Sequence, residues 1–179
     1  MIREALLTPN PYSRPQLKLR RVDAIVLHWV GNSGTSAEAN RLYFESLQDG
    51  SRKASAHYII DSRGIVRCIP DDEVAYHVGQ PEGQPYSAWA RLRWGGEHPN
   101  WYCLGIEHCH PDWTGQFDAA VLGWSKLLCA GLIRRYGLTT EAITTHNAIT
   151  GKDCPRWFVE HPAELVRFRG HVQTILEML

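Results

Sequence analysis

The chain has 179 residues, and its 19 lysine and arginine residues balance 19 aspartate and glutamate residues at pH 7. A chain of this length corresponds to about one domain and can bury a hydrophobic core without disulfide bonds. The balanced charge argues against a nucleic-acid-binding protein, whose binding face is strongly basic. Hydrophobic residues make up 44% of the chain, which argues against disorder. We therefore predict a single folded domain over residues 1–179, by default a monomer, that binds no nucleic acid.

No segment of the sequence approaches the roughly 20 consecutive apolar residues that span a bilayer, so we expect no membrane insertion. The N-terminus has no apolar run long enough for a signal peptide, which predicts cytoplasmic synthesis and release by a route other than standard secretion. The five cysteines are odd in number and scattered, which argues against a disulfide framework. Nine histidines and seven tryptophans are many for this length, and they suggest metal ligation and a ligand groove.

The predicted elements begin with an irregular N-terminal arm over residues 1–21, in which three prolines break any helix. The apolar, β-branched stretch 23–29 then predicts a buried strand. Thr35 and Glu38 have the spacing of a capping box, which predicts a helix of about a dozen residues that ends near Gly50. The first part of the chain is thus predicted to form an arm, a strand and a helix.

The same patterns predict the remaining elements. In chain order these are a β-hairpin of residues 56–61 and 65–69, a long loop with aromatic anchors over 79–100, a strand at 103–109, a helix over 118–136 and a last helix after Pro162. Strands interleaved with helices predict an α/β or mixed α+β fold around one sheet.

His28 is the first candidate site residue, because it lies at the end of the first apolar strand. Alternation places it on the same face as Ala24 and Val26, so it points either into a core layer or into a site at the strand's end. A strand histidine taken alone is more often structural than metal-ligating.

His146 and Cys154 form a second candidate, eight residues apart across the turn-forming pair Thr150 and Gly151. They can converge on one metal ion, and zinc suits such ligands. The alternative is a surface loop that carries a histidine and a cysteine by chance. This spacing falls outside the usual structural zinc patterns and leaves the two interpretations nearly even.

Glu107 lies in the middle of a predicted strand among apolar neighbours. A buried carboxylate needs a partner or a purpose, because burying an unpaired charge is costly. From this position alone, an ion pair with an arginine and a catalytic role are equally supported. Lys152, in the loop before Cys154, would by itself be a solvated lysine.

Five segments, taken in order, resemble the zinc-dependent N-acetylmuramoyl-L-alanine amidases, which include phage endolysins and peptidoglycan recognition proteins. They are IVLH at 25–28, SAHYII at 55–60, IP at 69–70 with VAYH at 74–77, GIE at 105–107, and His146 with TGKDCP at 150–155. Each segment is weak alone, but five in order over residues 23–159 form a specific signal. The stretches YSRP and YFES resemble the bacterial and phage endolysin branch of the family.

The resemblance implies a central mixed β-sheet with helices on both sides and a zinc site in a surface groove. It implies that His28, His146 and Cys154 are the ligands of a Zn²⁺ cofactor. Zinc suits the hydrolysis of an amide because it lowers the pKa of a bound water to about 7 and polarises the carbonyl. Glu107 would then move the proton from water to the leaving amine, and Lys152 would neutralise the tetrahedral oxyanion.

Three further residues are predicted to bind substrate, namely His77, Trp157 and His57. The two histidines match family positions, and the alternatives are a hydrogen-bonded strand histidine for His57 and a loop histidine for His77. One departure from the endolysin pattern is Ala148, which stands where an aspartate often follows the second ligand histidine. The outer partner of that ligand would then be absent or supplied from elsewhere.

The activity that the resemblance implies is hydrolysis of the bond between N-acetylmuramic acid and L-alanine in bacterial peptidoglycan. The chain would be a catalytic domain that reaches the cell wall after lytic release. The alternative is a non-catalytic peptidoglycan-binding module, since some family members bind muropeptides but have lost the cysteine ligand. The presence of Cys154 favours the enzyme.

Overall fold

One mixed sheet organises the chain in the computed structural model, which describes residues 2–80 and 83–178. Its strands are β1 (Ile2–Glu4), β2 (Ala24–Trp29), β3 (Tyr58–Asp61), β4 (Gly64–Arg67), β5 (Cys103–His108) and β6 (Ile143–Thr145). Their spatial order is β1-β4-β3-β5-β2-β6. The β3–β4 hairpin is antiparallel and every other pairing is parallel, so the prediction of a mixed sheet is confirmed.

Helices cover both faces of this sheet. They are α1 (Ala37–Ser46), α2 (Ala88–Trp94), α3 (Ala119–Tyr136), α4 (His146–Thr150), α5 (Arg156–Glu160) and α6 (Pro162–Met178), with short 3₁₀ turns at Leu47–Asp49, Pro99–Trp101 and Thr140–Ala142. Along β2, Ile25 and Leu27 pack into the core under α3 and α6, whereas Ala24 and Val26 pack into a separate core with α2 and α4. This alternation makes β2 apolar on both sides, as a central parallel strand requires.

Two of the predicted helices can be explained by their ends. The capping-box prediction for α1 is off by one residue, because the cap is Ser36 and not Thr35. The Ser36 hydroxyl accepts a hydrogen bond from the Ala39 amide at 3.1 Å, and it satisfies an amide that the first helical turn leaves unpaired. At the other end of the chain, α6 begins at Pro162, where the missing N–H of proline costs nothing.

The structure corrects the predicted arm and the predicted long loop. Residues 2–4 of the arm form β1, which pairs in parallel with β4 as an edge strand. The loop 79–100 contains α2, which begins after the cap Ser87. Residues 81–82 of that loop, like residues 1 and 179, lie outside the described part of the chain. Within the described ranges, no helix has the length and apolarity that crossing a membrane demands.

The buried carboxylate of Asp71 bonds to side chains of both helix α3 and the β3–β4 hairpin. Asp71 accepts hydrogen bonds from the hydroxyls of Tyr58 and Tyr136, and it forms ion pairs with Arg67 at 3.2 Å and Arg135 at 2.9 Å. Hydrogen bonds to a buried ionised group stabilise more than neutral ones do, and removing the acceptor leaves several donors unpaired.

We predict that Asp71→Asn lowers the free energy of unfolding by about 2 kcal/mol, since one acceptor oxygen and the charge are lost together. Urea denaturation of the variant and the parent protein measures the difference. The matched control is Asp72→Asn, because Asp72 pairs with Lys18 on the surface, where both side chains are 67% exposed. That substitution should cost less than about 1 kcal/mol. Equal losses in the two variants would contradict a structural role for the Asp71 network.

Candidate metal centre and active site

Candidate site residues lie at the ends of three neighbouring parallel strands. His28 is the last but one residue of β2, and the sheet register pairs it directly with Glu107 of β5. His146 follows the end of β6, which pairs with β2 on its other side. Because the carboxyl ends of parallel strands meet at one edge of the sheet, side chains distant in sequence come together there.

The segment from β6 to α5 brings the cysteine to the same place. Thr145 caps α4, since its hydroxyl accepts a hydrogen bond from the Ala148 amide at 3.1 Å, so His146 stands in the first turn. Asn147 then closes the following loop. Its backbone N–H donates to the Cys154 carbonyl at 2.9 Å, and its side-chain NH₂ donates to the Lys152 carbonyl at 2.9 Å. The loop therefore folds back, and Cys154 faces the histidines.

His28, His146 and Cys154 form a buried cluster that can hold a metal ion. Their candidate ligand atoms all lie within 4.8 Å of one another, and the Cys154 Sγ is 3.6 Å from His28 Nδ1. The Nδ1 of His146 is buried and has no hydrogen-bond partner among the described residues. An unpartnered buried nitrogen is costly, and a bound cation would supply its missing partner. The residues present thus fit a metal ion.

Each candidate ligand histidine also makes a contact through its other ring nitrogen. His146 Nε2 lies 2.8 Å from the carbonyl oxygen of Gly79, and His28 Nε2 lies 2.9 Å from His77 Nδ1. In both rings Nε2 is engaged and Nδ1 faces the cluster. A backbone carbonyl therefore takes the part of the aspartate that Ala148 replaces, an outer partner that the sequence pattern could not reveal.

Burial sets the protonation states of the cluster. Burial first, and then the charges of His146 and His77, lower the pKa of His28 well below its usual value. Burial likewise lowers the pKa of His146 to about 4. Both imidazoles are therefore neutral at pH 7, with lone pairs available for a metal. Burial also raises the pKa of the Cys154 thiol, so the thiol keeps its proton until a cation displaces it.

Glu107 and Lys152 lie near this cluster in contrasting environments. Glu107 is partly exposed as a residue, but its Oε2 is buried and has no hydrogen-bond partner in the described chain. Burial raises the pKa of Glu107 to about 8, against the opposing effect of the Lys152 charge. Lys152 is exposed on the loop before Cys154. A carboxyl group that titrates near neutral pH beside a cation is suited to moving protons.

The structure places His57 and His77, both predicted to bind substrate, in buried positions. His57 is 0% exposed and bonds the Gly105 amide through Nδ1 and the Glu73 carbonyl through Nε2. His77 is 7% exposed and lies behind His28. Neither ring lines the open cavity that Trp157 lines. The sequence could not predict this burial, because the alternation of side chains along a strand does not show which segments cover each face of the sheet.

Trp157, by contrast, is partly exposed and lines an open cavity of about 600 Å³. Arg156, two residues after Cys154, also lines the cavity and lies over the Trp29 ring at 4.9 Å from its centroid. Trp113, which is 58% exposed, also lines the cavity. The sequence analysis missed Trp113, although an exposed tryptophan in a loop after a strand is a recognisable signal for a binding surface.

Comparisons with known proteins identify relatives whose sequences align with most of this chain. A probable N-acetylmuramoyl-L-alanine amidase of Bacillus licheniformis is 34% identical over 168 residues, which cover 93% of this chain and 46% of the relative. The amidase BlyA of Bacillus subtilis is 32% identical over 170 residues, or 92% of this chain and 44% of BlyA. The chain thus spans about half the length of the curated relatives that it matches.

Solved structures share the fold at lower identity. The catalytic domain of XlyA superposes with a TM-score of 0.74 at 20% identity, covering 96% of this chain and 99% of that one. PlyL superposes with a TM-score of 0.75 at 20% identity, covering 96% of both chains. Residues 18–157, most of the chain, match the sequence profile of the Amidase_2 family. This chain therefore belongs to the N-acetylmuramoyl-L-alanine amidase family.

Proposed function

We propose that this protein cleaves the amide bond between N-acetylmuramic acid and L-alanine in bacterial peptidoglycan, with a zinc ion as cofactor. The observation that carries the proposal is the buried convergence of His28, His146 and Cys154 at the strand ends. The similar Bacillus proteins are named as N-acetylmuramoyl-L-alanine amidases, which supports the same substrate here. The biological role is endolysin-like, in that the protein degrades the cell wall.

The donor set supports zinc over other metals. Two imidazole nitrogens and one thiolate are ligands that zinc accepts at tetrahedral geometry, whereas magnesium and calcium prefer oxygen. Three protein ligands leave the fourth position open, as in catalytic zinc sites. A bound zinc ion supplies positive charge that activates water and polarises the carbonyl of the amide.

Glu107 is the proton carrier in the proposed reaction. It takes a proton from the attacking water and delivers it to the nitrogen of L-alanine as the amide bond breaks. Its buried, unpartnered Oε2 leaves it free to bond water. Burial raises the pKa of Glu107 to about 8 in the metal-free protein, and the charge of a bound zinc ion would lower that pKa and favour the carboxylate form that accepts the proton.

Lys152 stabilises the negative charge that develops on the carbonyl oxygen. The lysine is exposed, and its charge acts on Glu107, Cys154 and both ligand histidines, whose pKa values it lowers. An ammonium group placed there favours the tetrahedral oxyanion over the neutral amide.

In this proposal, part of the substrate binds in the cavity that Trp157 lines, three residues after Cys154. Trp157 and Trp113 offer aromatic surface, and Arg156 and Glu160 offer polar groups at its edge. A groove with apolar walls and a few polar groups is the usual form of a binding site for a small organic moiety. Trp157 therefore remains a proposed substrate-binding residue.

Zinc affinity should depend on pH through the thiol. In the Glu107→Gln variant, which removes the carboxyl group that also titrates, binding should release one proton, from Cys154. The dissociation constant for zinc should then fall about tenfold per pH unit between roughly pH 6 and 8, because both histidines are already neutral there. Competition with a chelator measures the constant. Cys68→Ala, at a buried cysteine outside the cluster, should not change the slope, and a flat profile would exclude a Cys154 ligand.

Digestion of purified peptidoglycan should release peptides with free L-alanine amino termini. Since hydrolysis requires the metal, release should stop on addition of a chelator and resume when zinc is restored. Mass spectrometry of the soluble products identifies the new ends. New reducing sugar ends would instead indicate a glycosidase, and retention on the insoluble wall without products would indicate a binding module.

The Cys154→Ser variant serves as the control for that digestion. It should abolish hydrolysis while largely retaining binding to insoluble peptidoglycan, since the cavity is unchanged. Adding Trp157→Ala to this inactive variant should reduce the fraction that cosediments with the wall. Full activity of Cys154→Ser would remove the cysteine from the metal centre.

Glu107→Gln and Lys152→Ala should lower kcat through different steps. Glu107→Gln should reduce kcat by about 10²- to 10⁴-fold with zinc still bound, because proton transfer is lost. Lys152→Ala should reduce kcat by roughly 10²- to 10³-fold and change KM much less, since the oxyanion exists only in the transition state. Lys152→Arg keeps the charge and should recover part of the rate. A rise in KM alone would make Lys152 a binding residue.

A further inference from the structure

The outer nitrogen of the proposed ligand His28 faces a second buried histidine. His28 Nε2 lies 2.9 Å from His77 Nδ1, and His77 Nε2 lies 3.2 Å from the carbonyl oxygen of Cys103. The three groups form a continuous hydrogen-bonded chain that begins on the backbone of β5. Its inner end is His28 Nδ1, 3.6 Å from the Cys154 sulfur.

The direction of each hydrogen bond in this chain follows from its first member. A carbonyl oxygen only accepts, so His77 Nε2 carries a proton and donates it. A neutral His77 then has a lone pair on Nδ1, which accepts the proton of His28 Nε2. His28 Nδ1 is consequently unprotonated and faces the cluster, as a metal-binding nitrogen must be.

We propose that His77 is a positioning residue that holds His28 in the tautomer and ring orientation in which Nδ1 binds the metal ion. This inference rests on the proposed metal centre, and it gives His77 a role that touches no substrate. Outer partners of this kind orient ligand rings, and their loss typically weakens metal binding about 10- to 100-fold.

Gly105 of β5 provides the space that His77 occupies. A Cβ atom built on Gly105 would lie 2.5 Å from Cγ of His77 and 2.6 Å from its Nδ1, which is closer than atoms can approach. Gly105 is not among the glycines with positive φ, so its backbone would accept other residues. Space for the imidazole, and not backbone conformation, is therefore what requires glycine in the GIE segment.

The two proposed histidine ligands have different hydrogen-bond partners. A substitution can remove the partner of His28 but not the partner of His146. His146 Nε2 bonds the backbone carbonyl of Gly79, which no side-chain change removes. The support of His28 is a side chain. His57 offers a matched comparison, because its ring centroid lies 5.8 Å from that of His77 and, among the described residues, its ring nitrogens bond backbone groups of Gly105 and Glu73.

The experiment measures the zinc dissociation constant of the whole chain by chelator competition, together with the melting temperature of the metal-free protein. His77→Leu should raise the dissociation constant about 10- to 100-fold. His77→Asn should recover most of that loss, because its side-chain oxygen can accept the His28 proton near the original Nδ1 position. The control His57→Asn should lower the melting temperature and leave the dissociation constant nearly unchanged.

Gly105→Ala supplies a second test that keeps every hydrogen-bonding group. It should weaken zinc binding by displacing His77, and its effect should shrink in the His77→Ala background, where both the ring that the Cβ displaces and its hydrogen bond to His28 are absent. If His77→Leu does not fold, the zinc dissociation constants of Gly105→Ala and His77→Asn test the role of His77.

The outcomes separate this inference from the proposed function. If the parent protein binds no zinc, or binds it equally well after Cys154→Ser, the metal centre and the role of His77 both fail. If the parent protein binds zinc through Cys154 and Gly105→Ala or His77→Leu binds it with the same constant, only the role of His77 is overturned. An equal loss of zinc affinity in His57→Asn would show that the loss in the His77 variants comes from disturbed core packing. That result would also overturn the proposed role of His77.

Discussion

The parallel pairing of β2 with β5 on one side and β6 on the other is the constraint on which the candidate site depends. Parallel neighbours end at the same edge, so His28, Glu107 and His146 meet there although they are separated by up to 118 residues in sequence. The loop after α4, closed by Asn147, adds Cys154 to the same edge. The core on both faces of β2 holds these strand ends in register.

The low polarity around the cluster explains both why its side chains destabilise the fold and why their pKa values are shifted. Burial keeps His28 and His146 neutral, keeps the Cys154 thiol protonated and raises the pKa of Glu107 to about 8. Groups left buried without partners destabilise a fold, and a bound cation offsets that cost. The same enclosure strengthens any electrostatic interaction with a substrate at the cluster. Stability has thus been given up where the proposed reaction takes place.

Local sequence patterns predicted the longer elements and the β3–β4 hairpin well, and they missed several of the shortest elements. The strands β2 and β5 and the helices α3 and α6 lie where the patterns placed them, because each carries enough apolar residues to show a period. Strands of three residues such as β1 and β6, and helices of five residues such as α4, are too short for any period. Tertiary pairing and caps, and not propensity, make them regular.

The sequence by itself determined the residue types that converge on the site, their order along the chain and the family to which it belongs. Only the tertiary structure decided which of these side chains are buried: His77 and His57 are enclosed, whereas Trp157 is partly exposed and lines an open cavity. It also decided that the partner of His146 is the Gly79 carbonyl. The physical reason is that a hydrogen bond to a backbone atom, and the side of a ring that faces solvent, depend on packing between distant segments. Neither property can be predicted from the type of a single residue.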